Sequence, residues 1–281
     1  MQTYHERMKA RIERREAFPV PWWLGVTKRH LPEFAGNIGV RTPKRFFTGT
    51  STEFKDFNLP VGDFVLKPDF GHTSKGVQLL NRNESGEISR IFDSSRIERS
   101  EVHHEIDAVE REFKVPQGKG QFILEEFLWD AHGKTMPWDF RAFMFQGECA
   151  FYSMERKDRE SGITTYGMFN PDFTVIPTNS GRFGKHPKAN TLNFAELPPP
   201  KNIEALANVA RRVSVAIPTA FARIDLYDSY RGIMLGEVTL TPGSFYYGTQ
   251  QTMAEFESRR LGRMWTEAED RLWGSKIGGA R

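Results

Sequence analysis

The sequence predicts an α+β fold built on antiparallel strands, and three patterns carry that expectation. Residues 221–227 and 234–240 each alternate apolar and polar side chains, and the turn between them carries Asp228, Ser229 and Gly232, which is the pattern of a hairpin. Residues 63–68, 77–80 and 88–92 read as further short strands separated by turn-forming stretches. Two other stretches repeat at helical spacing. Val102, Ile106, Val109 and Phe113 mark a helix over 100–113, and Ile203, Leu206, Ala210, Val213 and Ile217 mark one after Asn202, which Pro218 stops.

Composition narrows the class. The chain has 281 residues with 38% hydrophobic and 13% aromatic content, enough for a substantial core. Its 39 basic and 36 acidic residues leave a net charge of +3, spread along the chain, which argues against a dedicated nucleic-acid binder and suits anionic ligands. The single cysteine, Cys149, rules out an internal disulfide and a Cys-rich zinc site, and its apolar strand predicts a buried thiol. Residues 1–15 are charged and no run approaches a membrane-spanning length, so a cytoplasmic protein without a membrane span is expected.

In order, residues 4–17 read as a charged helix ended by Pro19 and Pro21, and Trp22, Trp23 and Leu24 form an apolar anchor. A short helix to about Ala35 and a strand at 45–47 follow. The strand at 63–68 ends in Lys67, a cation that burial obliges to find a partner. The next loop, residues 69–76, brackets His72, Thr73 and Ser74 between Gly71 and Gly76, so hydroxyls and backbone N–H groups can cover phosphates. It is not a P-loop, because Val77 and Gln78 stand where Lys and Ser or Thr belong and a strand follows. Strands are expected at 121–128, 138–146 and 149–154. Residues 155–190 read as a long polar loop with at most one short strand, at 173–176. One or two amphipathic helices are expected over 252–273.

The hairpin at 221–240 concentrates the chemistry. Strand alternation sets Arg223 and Asp225 on one sheet face, with Glu237 and Thr239 on the same face of the partner strand. Two carboxylates and a hydroxyl are hard oxygen ligands suited to Mg²⁺ on phosphate, and an adjacent arginine can stabilise developing negative charge. The same spacing also fits a structural ion-pair ladder.

The order of motifs resembles the ATP-grasp superfamily, and within it the TupA-like branch. The motifs are Phe64-Val-Leu-Lys67 before a glycine-containing loop, Glu125-Glu126-Phe127-Leu128, Asp139-Phe-Arg141-Ala-Phe, and Arg223-Ile-Asp225 followed by Glu237-Val-Thr239-Leu-Thr-Pro242-Gly243-Ser244. The resemblance covers roughly residues 25–265. It implies two α+β lobes with antiparallel sheets gripping ATP and a much reduced N-terminal substrate domain. The expected division is 1–60 as a short N-terminal segment, 61–125 as the small lobe and 126–281 as the large lobe.

The resemblance also implies roles. Lys28 and Lys67 would neutralise ATP phosphates, and the loop with His72, Thr73 and Ser74 would close over them. Glu125, Glu126, Phe127 and Leu128 would hold adenine, with Asp130 at the ribose. Asp225, Glu237 and Thr239 would bind Mg²⁺, Arg223 and Arg141 would stabilise reacting groups, and Ser244 would touch substrate. Thr239 stands where most of the superfamily has Asn, and Thr27 where it often has Asp. The implied activity is ATP-dependent ligation of a small-molecule or polymer-linked carboxylate to an amine, in cell-surface polymer modification or peptide-like metabolite synthesis. A homo-oligomer is compatible with this. A phosphotransferase of the same fold and a non-catalytic nucleotide-binding module stay open as alternatives.

Overall fold

The computed structural model describes residues 2–15, 20–26, 28–70, 75–131, 133, 135–158, 161–248 and 250–274. In chain order the elements are α1 (Tyr4–Glu13), α2 (Trp22–Val26), α3 (Leu31–Asn37), β1 (Arg45–Thr50), α4 (Ser51–Asp56), β2 (Gly62–Pro68), β3 (Gln78–Arg82), β4 (Ile88–Arg90), β5 (Arg96–Ile97), α5 (Arg99–Glu112) and β6 (Gln121–Glu126). They continue with β7 (Asp139–Phe145), β8 (Glu148–Lys157), β9 (Thr164–Phe169), β10 (Phe183–Lys185), β11 (Leu192–Phe194), α6 (Ile203–Ala216), β12 (Ala222–Ser229), β13 (Gly232–Thr239), β14 (Gln251–Met253) and α7 (Glu255–Trp273). The fold is α+β, as expected. Its contacts form two compact units. The first holds Met1–Val26, Leu31–Thr42 and Trp129–Arg281, and the second holds Thr27–His30 and Pro43–Leu128. Residues 1–60 are therefore shared between the two units rather than forming a segment apart.

The second unit is a six-stranded antiparallel sheet in the order β1-β6-β2-β3-β4-β5. Strand alternation turns Phe64, Leu66, Leu80, Phe122 and Leu124 to one face, where they pack with Phe54 of α4 and with Val102, Ile106 and Val109 of α5. A reciprocal capping box between Thr50 and Glu53 starts α4 directly after β1, so no loop is needed there. The fully buried Glu110 of α5 accepts from the Ser51 hydroxyl at 2.5 Å and from the amides of Gly118 and Gly120 at 2.9 and 2.7 Å. Those donors satisfy a carboxylate that burial alone would penalise.

The first unit is centred on a sheet of order β11-β9-β8-β7-β12-β13, antiparallel except where β11 joins β9. One face buries Phe140, Ala142, Ile224, Leu226 and Val238 against Leu24, Leu31 and Ala35 and against Leu206, Ala210 and Val213 of α6. On the opposite side Phe143, Phe145, Phe151 and Phe221 pack with Tyr4 and Met8 of α1 and with Leu261, Met264 and Trp265 of α7. Arg11 of α1 is 2% exposed. It donates to the carbonyls of Phe221 and Leu240 at 2.9 and 3.0 Å and stacks on Trp265 at 4.3 Å. This ties α1 to the start of β12 and the end of β13.

Several elements differ from expectation. Residues 155–190 hold two strands, β9 and β10, and 173–176 contributes only a bridge between Phe169 and Val175. Strand β9 exists because β8 runs on to Lys157 and offers it an edge, a long-range contact that the short, glycine-containing sequence of β9 does not announce. Asp228, Ser229 and Gly232 lie within the paired strands, since Ser229 faces Gly232 and only Tyr230 and Arg231 turn the chain. Helix α1 stops at Glu13, ahead of the prolines, and the C-terminal helical stretch is one helix. Cys149 is half-buried, and burial pushes its thiol up to about 12.

Candidate active site

Register builds the site in the first unit. Asp225 of β12 lies opposite Glu237 of β13, and Arg223 lies opposite Thr239. On its other edge β12 pairs with β7, placing Arg141 beside Asp225, and β7 pairs with β8, setting Ser153 beside Arg141 and Glu155 beside Asp139. Side chains alternate along each strand, so all of these share one sheet face. It is the face whose far end carries Phe143 and Phe221. A register shift after Asp225 leaves Gly236 as an extra residue on β13. A Cβ on Gly236 would lie 2.4 Å from the Tyr227 ring, so the bulge depends on a residue without a side chain.

The charges on this face are densely paired. Arg223 donates from Nε and Nη2 to the two oxygens of Asp225 at 2.7 and 2.6 Å. Its Nη2 also reaches Thr239 Oγ1 at 3.0 Å, and its Nη1 reaches Ser244 Oγ at 3.4 Å. Arg141 donates to Asp139 at 2.9 Å, pairs with Glu155 at 2.7 Å and lies 3.8 Å from Asp225. Asp225 is 3% and Glu155 4% exposed. Burial pushes the Asp139 carboxyl up to about 7; the Arg141 guanidinium opposes this, and the Asp225 and Glu155 charges add to it. Glu155 is raised for the same leading reason. Burial works against the charge on Arg223, but Asp225 outweighs it and holds the guanidinium above its ordinary range.

The donor set fits a divalent cation. Arg141 and Arg223 supply two positive charges against the carboxylates of Asp139, Glu155, Asp225 and Glu237. Glu237 is half-buried and has no hydrogen-bond or ion-pair partner among the described residues. Among those residues no group of three His, Cys, Asp or Glu side chains is placed to hold a metal. Two carboxylates suffice for Mg²⁺, which commonly completes its shell with water and substrate phosphate.

The second unit gathers cations. Lys67 forms an ion pair with Glu125 on the sheet face opposite Phe64 and Leu66. The Lys28 amide donates to Asp69 at 2.7 Å, and Arg45 holds the carbonyls of Lys28 and Arg29 at 2.9 and 3.0 Å. Lys28, Arg29, Arg45 and Lys67 thus outnumber Asp69 and Glu125, and the Arg45 Nε is buried without a hydrogen-bond partner among the described residues. That excess suits phosphate oxygens. Glu126 turns to the Lys44 amide at 2.8 Å, and Phe127 and Leu128 are buried at the end of the unit. Asp130 falls in the first unit, where it bridges to Ser229. His72, Thr73, Ser74 and Thr27 lie outside the described residues.

Sequence reasoning passed over Glu155, Arg45 and Asp69. Each had a signal: an acid within an apolar strand, an arginine opening a strand, and an acid just after Lys67-Pro68. None could be assigned without knowing the partner strand.

Two sheet-based α+β units, one carrying an Arg-x-Asp strand hairpinned to Glu-x-Thr and the other a half-buried strand-end lysine, fit the ATP-grasp class. The chain belongs to the TupA-like ATPgrasp family, which it matches over residues 19–262. No curated protein matches the sequence significantly. Among solved structures, D-alanine-D-alanine ligase from Helicobacter pylori aligns at 15% identity and TM-score 0.48, over 86% of this chain and 58% of that one. D-alanine-D-alanine ligase from Bacillus anthracis complexed with ATP aligns at 15% and 0.46, over 89% and 65%. L-amino acid ligase from Bacillus licheniformis aligns at 15% and 0.48, over 85% and 49%. The chain spans less than two thirds of the length of each of these proteins. No helix among the described residues is long and apolar enough to cross a membrane.

Proposed function

We propose that this chain is an ADP-forming ligase that joins a carboxylate to an amine. The observation that carries the reading is the cross-strand pair Asp225–Glu237 with Arg223 and Arg141 on the same face, in a member of an ATP-grasp family. A carboxylate is a poor electrophile. Its oxygen attacks the γ-phosphorus of ATP, the bond to the β–γ bridging oxygen breaks, and ADP leaves. The amine nitrogen then attacks the acyl carbon, phosphate departs with the C–O bonding electrons, and the nitrogen loses a proton.

The residues of the chain serve these steps by charge. Lys28 and Lys67 would offset phosphate charge, and Glu125 would orient both Lys67 and the base. Asp225 and Glu237 would hold Mg²⁺, which supplies Lewis-acid neutralisation of the phosphates. Arg223 and Arg141 would face the oxyanion, an effect worth about 3 kcal/mol per well-placed donor. Ser244 would contact the substrate, and Asp130, His72, Thr73 and Ser74 would complete the nucleotide contacts. The resemblance favours a cell-surface polymer or a peptide-like metabolite as product.

The test is ADP release by the purified chain with ATP, Mg²⁺ and an amino-acid mixture, with hydroxylamine as trapping amine. Acid-dependent ADP release with hydroxamate formation supports the ligase. ADP release with a stable phosphorylated product and no hydroxamate supports a phosphotransferase instead.

A further inference from the structure

Thr239 occupies the place of a third metal ligand, but its hydroxyl oxygen already accepts a hydrogen bond from Arg223 Nη2 at 3.0 Å. The same guanidinium grips both oxygens of Asp225 and reaches Ser244, so Arg223 is held at four points. The two kinds of acceptor differ in charge. A carboxylate oxygen can receive a guanidinium N–H on one lone pair and a divalent cation on another, because its negative charge offsets both. A neutral hydroxyl has no such charge, so a cation on its free lone pair would sit close to the Arg223 guanidinium without the charge compensation that a carboxylate ligand itself supplies. The register agrees, since Thr239 is the cross-strand partner of Arg223, and Glu237 is that of Asp225.

We infer that Thr239 is a positioning residue that fixes the Arg223 guanidinium and not a metal ligand, which leaves Asp225 and Glu237, among the described residues of this face, to hold the metal. This rests on the ligase reading only for the existence of the metal site. With Asp225, the Thr239 hydroxyl and Ser244 tie the guanidinium between the start of β12 and the end of β13, so the hairpin presents a preset donor instead of a mobile arginine.

The test uses the full chain and two readouts. Mn²⁺ binding is followed by electron paramagnetic resonance, and the Arg223 guanidinium by ¹⁵N NMR. Thr239→Val is expected to leave the Mn²⁺ dissociation constant within about twofold of wild type, while Glu237→Gln weakens it by at least about tenfold. Thr239→Val is also expected to shift the Arg223 resonances and hasten their solvent exchange, and Thr239→Ser, which keeps the oxygen, to restore both. A loss of Mn²⁺ affinity in Thr239→Val as large as that in Glu237→Gln overturns the inference, and so do unaltered Arg223 resonances in Thr239→Val. If wild type takes up no Mn²⁺, or Glu237→Gln binds it normally, the metal assignment fails, and the NMR arm still decides the role of Thr239.

Discussion

Asp225 and Glu237 face each other across β12 and β13, yet their charges are met differently. Asp225 is 3% exposed and bound at both oxygens by Arg223, while Glu237 is half-buried, makes no hydrogen bond or ion pair among the described residues and acts on Arg223 only through its charge.

The two positions should therefore separate stability from turnover. Asp225→Asn leaves Arg223 buried without its counter-charge and should cost about 3 kcal/mol. Glu237→Gln removes a charge that makes no hydrogen bond or ion pair among the described residues and should change stability by no more than about 0.5 kcal/mol. Both should lower ADP release by more than about a hundredfold, the upper range for losing a mere supporting partner of a metal ligand. Thermal denaturation and a coupled ADP assay check this. Wild-type turnover in Glu237→Gln would remove it from the metal site.

Asp139 gives a pH dependence with a definite sign. Its folded carboxyl is pushed up to about 7 from 3.8, so across that window the folded protein holds a proton that the unfolded chain has released. Stability from this group is present below the unfolded value and is lost as pH rises through the folded one. Arg141, Glu155, Asp225 and Arg223 face the same group. Denaturant titrations on either side of the window should show a decline that is shallower in Asp139→Asn. An equal slope in both proteins would contradict the assignment.

In the second unit, Lys67→Ala should weaken ATP binding by about tenfold, the loss of one charge-assisted contact. It should also leave Glu125 buried without its counter-charge, so Glu125→Gln added to Lys67→Ala should recover part of the lost stability. Calorimetry and melting curves test the two halves separately. Unchanged nucleotide affinity in Lys67→Ala would rule out its phosphate role.

Helix α7 packs on the start of the chain through Gly262, where an added Cβ would meet the Gln2 carbonyl oxygen at 2.2 Å and Thr3 Cα at 3.0 Å. Alanine favours a helix over glycine by about 1 kcal/mol, but the clash is with backbone and should cost about 1–3 kcal/mol. Gly262→Ala should therefore lower the melting temperature. A rise would mean that α1 moves aside freely.

The sequence alone determined whatever repeats over short distances. The helical period of 203–217, the alternation of 221–227 and 234–240, and the Arg-x-Asp and Glu-x-Thr spacings all lie within one helix or one hairpin, so side-chain direction follows from residue order. That was enough for the α+β class and for setting Arg223, Asp225, Glu237 and Thr239 on one face. What tertiary structure decided are the contacts between strands far apart in the chain. Pairing of β7 with both β8 and β12 brings Glu155 to Arg141 and Arg141 to Asp225, and pairing of β8 with β9 makes a strand of residues that read as loop. Hydrogen-bond partners of a buried charge are chosen by which strand lies alongside, and no local pattern encodes that choice. Thr239 shows the difference: its place on the face follows from spacing, but only the fold brings the Arg223 Nη2 to within 3.0 Å of its hydroxyl.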